Sequence, residues 1–211
     1  MRISDAGLAL VMAFEGCLKP VPGKPGFFKP YVCPAGVLTI GWGHTNHHLP
    51  AFGPTDVWSQ ETCDEVLRGD MARFERHVAA HAKMPLAQHE FDALVSWAYN
   101  TGGPASAGLW RALNAGHRRD VPAELAKWNK GGGKVLAGLV RRRKAEGLLF
   151  AGRIDEALQV AGARRPAAAA RQPAVVVLSE HSPRPPDVEP AAATPKTGWL
   201  AALLNRFRKA S

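Results

Sequence analysis

The stretch Tyr31-Val32-Cys33-Pro34-Ala35-Gly36-Val37-Leu38-Thr39-Ile40-Gly41-Trp42-Gly43-His44-Thr45 decides the architecture. Tyr31 to Cys33 and Val37 to Trp42 read as two short strands that turn through Pro34, Ala35 and Gly36, a small β hairpin. On its N-terminal side, Ser4 can cap a helix whose Leu8, Val11, Met12 and Phe14 fall at helical spacing and which ends near Gly16. Glu15 then sits on the last turn. Between helix and hairpin, Cys17 to Pro30 is crowded with Pro20, Pro22, Gly23, Pro25 and Gly26, which reads as an exposed loop.

Past a loop around Pro50 to Pro54, Ser59 or the Thr62/Glu65 capping box opens a helix carrying Val66, Leu67, Phe74 and Val78. Pro85 restarts the chain, and Leu86, Phe91, Leu94, Val95, Ala98 and Tyr99 make a strongly apolar helix stopped by Gly102 and Gly103. Further helices fit Ala107 to Ala115, Pro122 to Trp128 and Val135 to Phe150. A helix, a small hairpin and then a helical bundle predict an α+β, mainly α chain with a small lobe, a larger helical lobe and a cleft between them.

The 211 residues, 46% of them hydrophobic, suffice for one sizeable core plus an appendage. The formal charge of +9 favours an anionic partner without choosing among nucleic acid, murein, lipopolysaccharide and phospholipid. Residues 1 to 152 hold 18 basic and 13 acidic side chains and residues 153 to 211 hold 9 and 5, so both parts are basic. Cys17, Cys33 and Cys63 cannot all pair with one another, and their spacing is not that of a structural zinc site. A reducing compartment is the simpler reading. The apolar run from Ala6 to Phe14 is too short for a membrane span and lacks a cleavage site, so no signal peptide is expected.

Hydrolysis of a glycosidic bond needs an acid to protonate the leaving oxygen and a second polar group to place or activate water on the opposite face of the sugar. A glutamate between a helix and a small sheet can serve as that acid if partial desolvation raises its pKa. An isolated glutamate at a helix end is more often a solvated surface group, so its neighbours carry the argument. The run from Tyr31 to Thr45, arriving after Phe14-Glu15-Gly16, resembles the lysozymes of glycoside hydrolase family 24, the phage-type muramidases. The resemblance continues through Glu90 to Gly102, Leu109 to Gly116, Trp128 to Lys134 and Gly138 to Arg143, and covers roughly residues 3 to 150.

That resemblance implies hydrolysis, with inversion and without a metal or other cofactor, of the β-1,4 bond between N-acetylmuramic acid and N-acetylglucosamine in peptidoglycan. Glu15 would be the general acid, Thr39 would hold the attacking water, and Cys33 would occupy the place usually taken by aspartate. Five residues separate Cys33 from Thr39, as the family requires. Asn100, Tyr99 and Arg142 are the candidate substrate-binding residues, and His44 and Asp70 form the expected structural brace. Two departures stand out. Seventeen residues separate Glu15 from Cys33, where the family commonly has eight, an insertion in the Pro/Gly-rich stretch. Cys33 is also a thiol, a class mostly protonated at neutral pH with an ordinary pKa of roughly 8.5, so it is expected to contribute weakly as a base while Thr39 positions the water.

His44, His47 and His48 near Cys33 suggest a zinc amidase or a Cys/His peptidase, but no third orienting residue or distant ligand pair accompanies them. Arg141, Arg142, Arg143 and Lys144 interrupt an apolar helix and read as a solvated basic face rather than a nucleic-acid reader, with one arginine free to reach the cleft. Trp97, Tyr99, Trp110 and Trp128 read as core aromatics. A lytic transglycosylase, which needs one glutamate and no water-holding partner, is the alternative within carbohydrate chemistry. Outside it stands a non-catalytic cationic protein that binds wall or membrane.

In the resulting division, residues 1-152 form the catalytic domain, and residues 153-195 a short helical extension and linker. The stretch from 163 to 195 has 7 prolines and 9 alanines, too few large apolar groups to repay the entropy of folding. Residues 196-211 carry Trp199, Leu200, Leu203, Leu204 and Phe207 at helical spacing with Lys196, Arg206, Arg208 and Lys209, a candidate interfacial membrane helix. A monomer with peptidoglycan as its partner and no nucleic acid is expected. Resemblance to phage lysis proteins implies accumulation in the host cytoplasm until a membrane pore, the holin, releases the enzyme to the cell wall in the periplasm.

Overall fold

The computed structural model describes residues 1-15, 19-33 and 36-163. The first helix, α1 (Asp5–Glu15), starts where Ser4 Oγ accepts from the Gly7 N–H at 3.3 Å. This is the N-terminal cap that its sequence announces.

Two three-stranded antiparallel sheets follow. One contains β1 (Pro20–Val21), β2 (Lys24–Phe28) and β6 (Trp58–Ser59) in that spatial order. The other contains β3 (Tyr31–Val32), β4 (Leu38–Ile40) and β5 (His44–Thr45). Tyr31 faces Thr39, and Thr39 faces Thr45.

The first sheet corrects the expectation of an exposed loop between Cys17 and Pro30. Lys29 N donates to Lys19 O at 2.9 Å and closes a hairpin, while Phe27 and Phe28 pair with Ser59 and Trp58. Proline does not prevent this, because Pro20 lies at the first position of its strand, where a missing N–H costs little.

Helix α2 (Gln60–His81) begins at Ser59, whose Oγ accepts from Thr62 N at 3.1 Å. In α3 (Gln88–Thr101), Glu90 reaches back to the Ala87 N–H at 2.9 Å, and Gly102 ends the helix in the left-handed region at φ 79°. Helix α3 is apolar nearly all round, with Phe91, Ala93, Leu94, Val95, Trp97 and Ala98 buried, so it forms the axis of the larger lobe. Its buried polar residues need internal partners. Asp92 receives Ser4 N at 2.9 Å, and Ser96 Oγ donates to Glu146 Oε1 at 2.8 Å.

The bundle is completed by α4 (Gly108–Asn114), α5 (Val121–Ala126), α6 (Ala137–Phe150) and α7 (Ile154–Ala161). Val135, expected to open the last long helix, instead lies in β8 (Lys134–Val135), paired with β7 (Lys130–Gly131). The three consecutive glycines Gly131 to Gly133 favour this tight reversal over a helical start. The short helical extension past residue 152 is α7, whose Ala157, Leu158 and Ala161 are buried in the same core. The expected Pro/Ala-rich linker, from residue 164 onward, and the amphipathic tail lie outside the described residues.

Trp97 meets Trp110 at 5.7 Å and Trp128 at 5.4 Å, both edge to face, the arrangement of a packed aromatic core. Among the described residues no helix is long and apolar enough to cross a membrane.

Candidate active site

Glu15 closes α1 with its side chain only 5% exposed. Its Oε1 accepts from Arg142 Nη1 at 2.8 Å. Arg142, on α6, also donates through Nε to Glu146 Oε1 at 3.1 Å and through Nη2 to the Ser96 carbonyl at 3.3 Å. Burial opposes the charge of this guanidinium, but Glu15 and Glu146 outweigh it and hold the pKa above the ordinary arginine value. Three helices, α1, α3 and α6, therefore meet at one buried cation.

The next residue extends the network. Arg143 is in ion-pair contact with Glu146 Oε2 at 3.0 Å, and its Nη2 donates to Asn100 Oδ1. Burial pushes the Arg143 pKa down to about 10, with Glu146 opposing and Arg142 adding to the fall.

The expectation of a solvated basic face is corrected here. Arg141 and Lys144 are exposed, but Arg142 and Arg143 are 2% and 1% exposed. Their burial is tolerable because carboxylates and amide oxygens replace the lost water. Arg143 was read only as part of the basic run, and neither Glu146 nor Ser96 was given a role from the sequence. The available signal was an acid at i+3 and i+4 from two arginines, in an otherwise apolar helical turn.

Thr39 and Cys33 lie on the second sheet. Thr39 is buried, and its Oγ1 donates to the Val37 carbonyl at 3.0 Å. Cys33 is half-buried, and its N–H donates to Val37 O at 2.9 Å, next to the last registered pair of β3 and β4. Tyr99 is buried, with its hydroxyl donating to the Trp42 carbonyl at 3.3 Å. Burial first, and then the charges of Glu15 and Asp70, hold its phenol well above the ordinary pKa. Tyr99 thus joins the surroundings of Glu15 to the turn between β4 and β5. Asn100 is half-buried against Arg143. Trp42 is itself fixed by Nε1, which donates to Asp64 Oδ1 at 2.6 Å.

His44 and Asp70 meet, with Nδ1 2.9 Å from Asp70 Oδ2 and Nε2 2.9 Å from the Pro50 carbonyl. Both partners are acceptors, so the doubly protonated ring satisfies both contacts. Burial works against that form, but Asp70 and Pro50 prevail and raise the His44 pKa. His44 is thereby tied to the small lobe and to α2, together with Phe52 and Trp58 at 5.8 and 5.6 Å.

A first helix that ends in a buried glutamate, small antiparallel sheets and a helical bundle make a lysozyme-like α+β fold. The phage lysozyme family model matches residues 26-146. The chain belongs to the phage lysozyme family. It is 40% identical over 156 residues to an endolysin of Bacillus phage B103, covering 71% of this chain and 54% of that one, so it spans about half the length of that relative. An endolysin of Acyrthosiphon pisum secondary endosymbiont phage 1 is 36% identical over 156 residues, with 71% of this chain and 98% of that one covered. Among solved structures, the muramidase domain of SpmX from Asticaccaulis excentricus is 31% identical with a TM-score of 0.58, covering 71% and 97% of the two chains.

Proposed function

We propose that this chain is an endolysin that hydrolyses the β-1,4 bond between N-acetylmuramic acid and N-acetylglucosamine in peptidoglycan. The observation that carries the proposal is the Glu15 carboxyl, buried at the end of α1 with one oxygen held by Arg142. Membership of the phage lysozyme family and the muramidase name of the SpmX domain support it.

In this reading Glu15 transfers its proton to the glycosidic oxygen as the bond to C1 breaks. Water adds to C1 from the opposite face and inverts it. Thr39 positions that water, whose proton passes to solvent in most turnovers and to the sulfur of Cys33 in the few that begin with a thiolate there. Arg142 fixes the angle of the carboxyl. Asn100 acts at the edge of the sugar site, and Tyr99 supports the site from beneath, where its burial leaves little ring area for a sugar to cover. No cofactor enters the scheme. The protein works as a monomer, reaches the wall from the host cytoplasm through a holin pore, and uses residues 196-211 for membrane contact.

The test is product analysis on purified peptidoglycan. The parent should release new reducing ends with the mass of hydrated muramic acid, and Glu15→Gln should release none. Anhydro-muramic ends would instead assign a lytic transglycosylase. Binding without any cleavage would leave the cationic wall-binding reading.

A further inference from the structure

The inserted hairpin of β1 and β2 takes no part in the proposed hydrolysis. From Gly16 to Thr55 the sequence holds no aspartate or glutamate, and its only lysines are Lys19, Lys24 and Lys29, all on this hairpin. Lys19 and Lys24 are exposed and Lys29 is half-exposed. Among the described residues none of the three is in an ion pair. Lys24 Nζ instead rests 4.1 Å from the centroid of the Phe27 ring.

The hairpin is a fixed surface. Its base is closed by the Lys29 to Lys19 bond, and its other edge is paired to β6, which leads directly into the cap of α2. Its base is also tethered close to candidate site residues at both ends. Lys19 follows Glu15 by four residues, a reach of at most about 14 Å, and Tyr31, opposite Thr39, follows Lys29 by two, at most about 7 Å.

We infer that this hairpin is a docking rail for an acidic peptide, namely the carboxylate-bearing peptide that hangs from muramic acid. The inference rests on the muramidase reading. A glycan strand lying across Glu15 carries its peptides outward, and a peptide of four or five residues extends roughly 15 Å, enough to run from the cleft along the hairpin. Three ammonium groups outside any ion pair, with no acid within the hairpin itself and Asp56 and Glu61 the nearest in sequence to the paired strand β6, make the rail complementary to that peptide's free carboxylates. Lys24, restrained on Phe27, loses less side-chain freedom on binding than a free lysine would.

The experiment compares the parent with the triple variant Lys19→Gln, Lys24→Gln, Lys29→Gln on peptide-bearing sacculi and on the same glycan stripped of peptide by an amidase. Urea unfolding verifies that the variant is folded. The parent should prefer the peptide-bearing form in KM, and the variant should lose about fivefold of that preference at low salt, with the difference fading as salt rises. Sedimentation with intact sacculi, read without any turnover, should show the same loss. A preference equal in parent and variant overturns the rail, as does an equal loss of affinity for stripped glycan or for polyphosphate, which would mean unspecific charge. If the parent cleaves neither substrate, the muramidase reading falls by itself, and sedimentation still decides the rail.

Discussion

Arg142 and Glu15 lie 127 positions apart in sequence, yet Nη1 and Oε1 are 2.8 Å apart with both side chains almost wholly buried. The pair fastens the last turn of α1 to α6. The acid's position is therefore set by the C-terminal half of the larger lobe as well as by its own helix.

Removing one member of such a pair leaves an uncompensated buried charge. Arg142→Ala leaves both Glu15 and Glu146 without their shared partner, and the expected cost is about 3–5 kcal/mol in urea unfolding. Glu15→Gln, which keeps an acceptor for Nη1, should cost less. A destabilisation by Arg142→Ala no larger than that of an ordinary surface change would show that the network does not hold the lobe.

The His44–Asp70 pair makes stability depend on pH. The folded pKa of His44 is raised above its unfolded value of about 6.5. Its contribution is therefore complete below about pH 6.5 and is lost as pH rises through the folded pKa. Asp70→Asn should lower the unfolding free energy more at pH 5.5 than at pH 8.5. An equal loss at both values would mean that the imidazolium is not what Asp70 holds.

Gly7 in α1 offers a test of close packing between helices. Alanine is favoured over glycine inside a helix by about 1 kcal/mol. A Cβ at Gly7, however, would lie 2.8 Å from Asp92 Cβ and 2.7 Å from Ile3 Cγ1. Overpacking at about 1–3 kcal/mol should win, and Gly7→Ala should lower the midpoint of thermal unfolding. A raised midpoint would mean that α1 and α3 can separate freely.

The two described thiols should differ in reactivity. Burial, with the charge of Asp64 adding to it, pushes the Cys63 thiol up to about 11, and the residue is 2% exposed. In a Cys17→Ser background, iodoacetamide at pH 8 should label half-exposed Cys33 and leave Cys63 intact until the protein unfolds. Peptide mass mapping reads both sites. Hydrolysis undiminished after Cys33 is alkylated would remove that residue from the mechanism.

Local signals in the sequence made several elements legible. The Ser4 and Ser59 caps, the Gly102 stop and the strands on either side of residues 33 to 37 depend on interactions within a few positions, and they form as their residues dictate. The proline-rich insertion was not legible as a hairpin, because the strand that fixes its edge, Trp58–Ser59, lies about thirty residues further on. Likewise, four consecutive basic residues look alike on a helix until something packs against two of them.

The amino-acid order alone determined the helical periods, the caps, the breaks and the motif run from Tyr31 to Thr45, since each is settled by short-range sterics and hydrogen bonding. Only the tertiary structure decided which charges leave water. Desolvation of Arg142, Arg143 and Glu146 is offset partly within α6 and partly by Glu15 on α1 and by Ser96 and Asn100 on α3, and which helices meet is a property of the whole packed core.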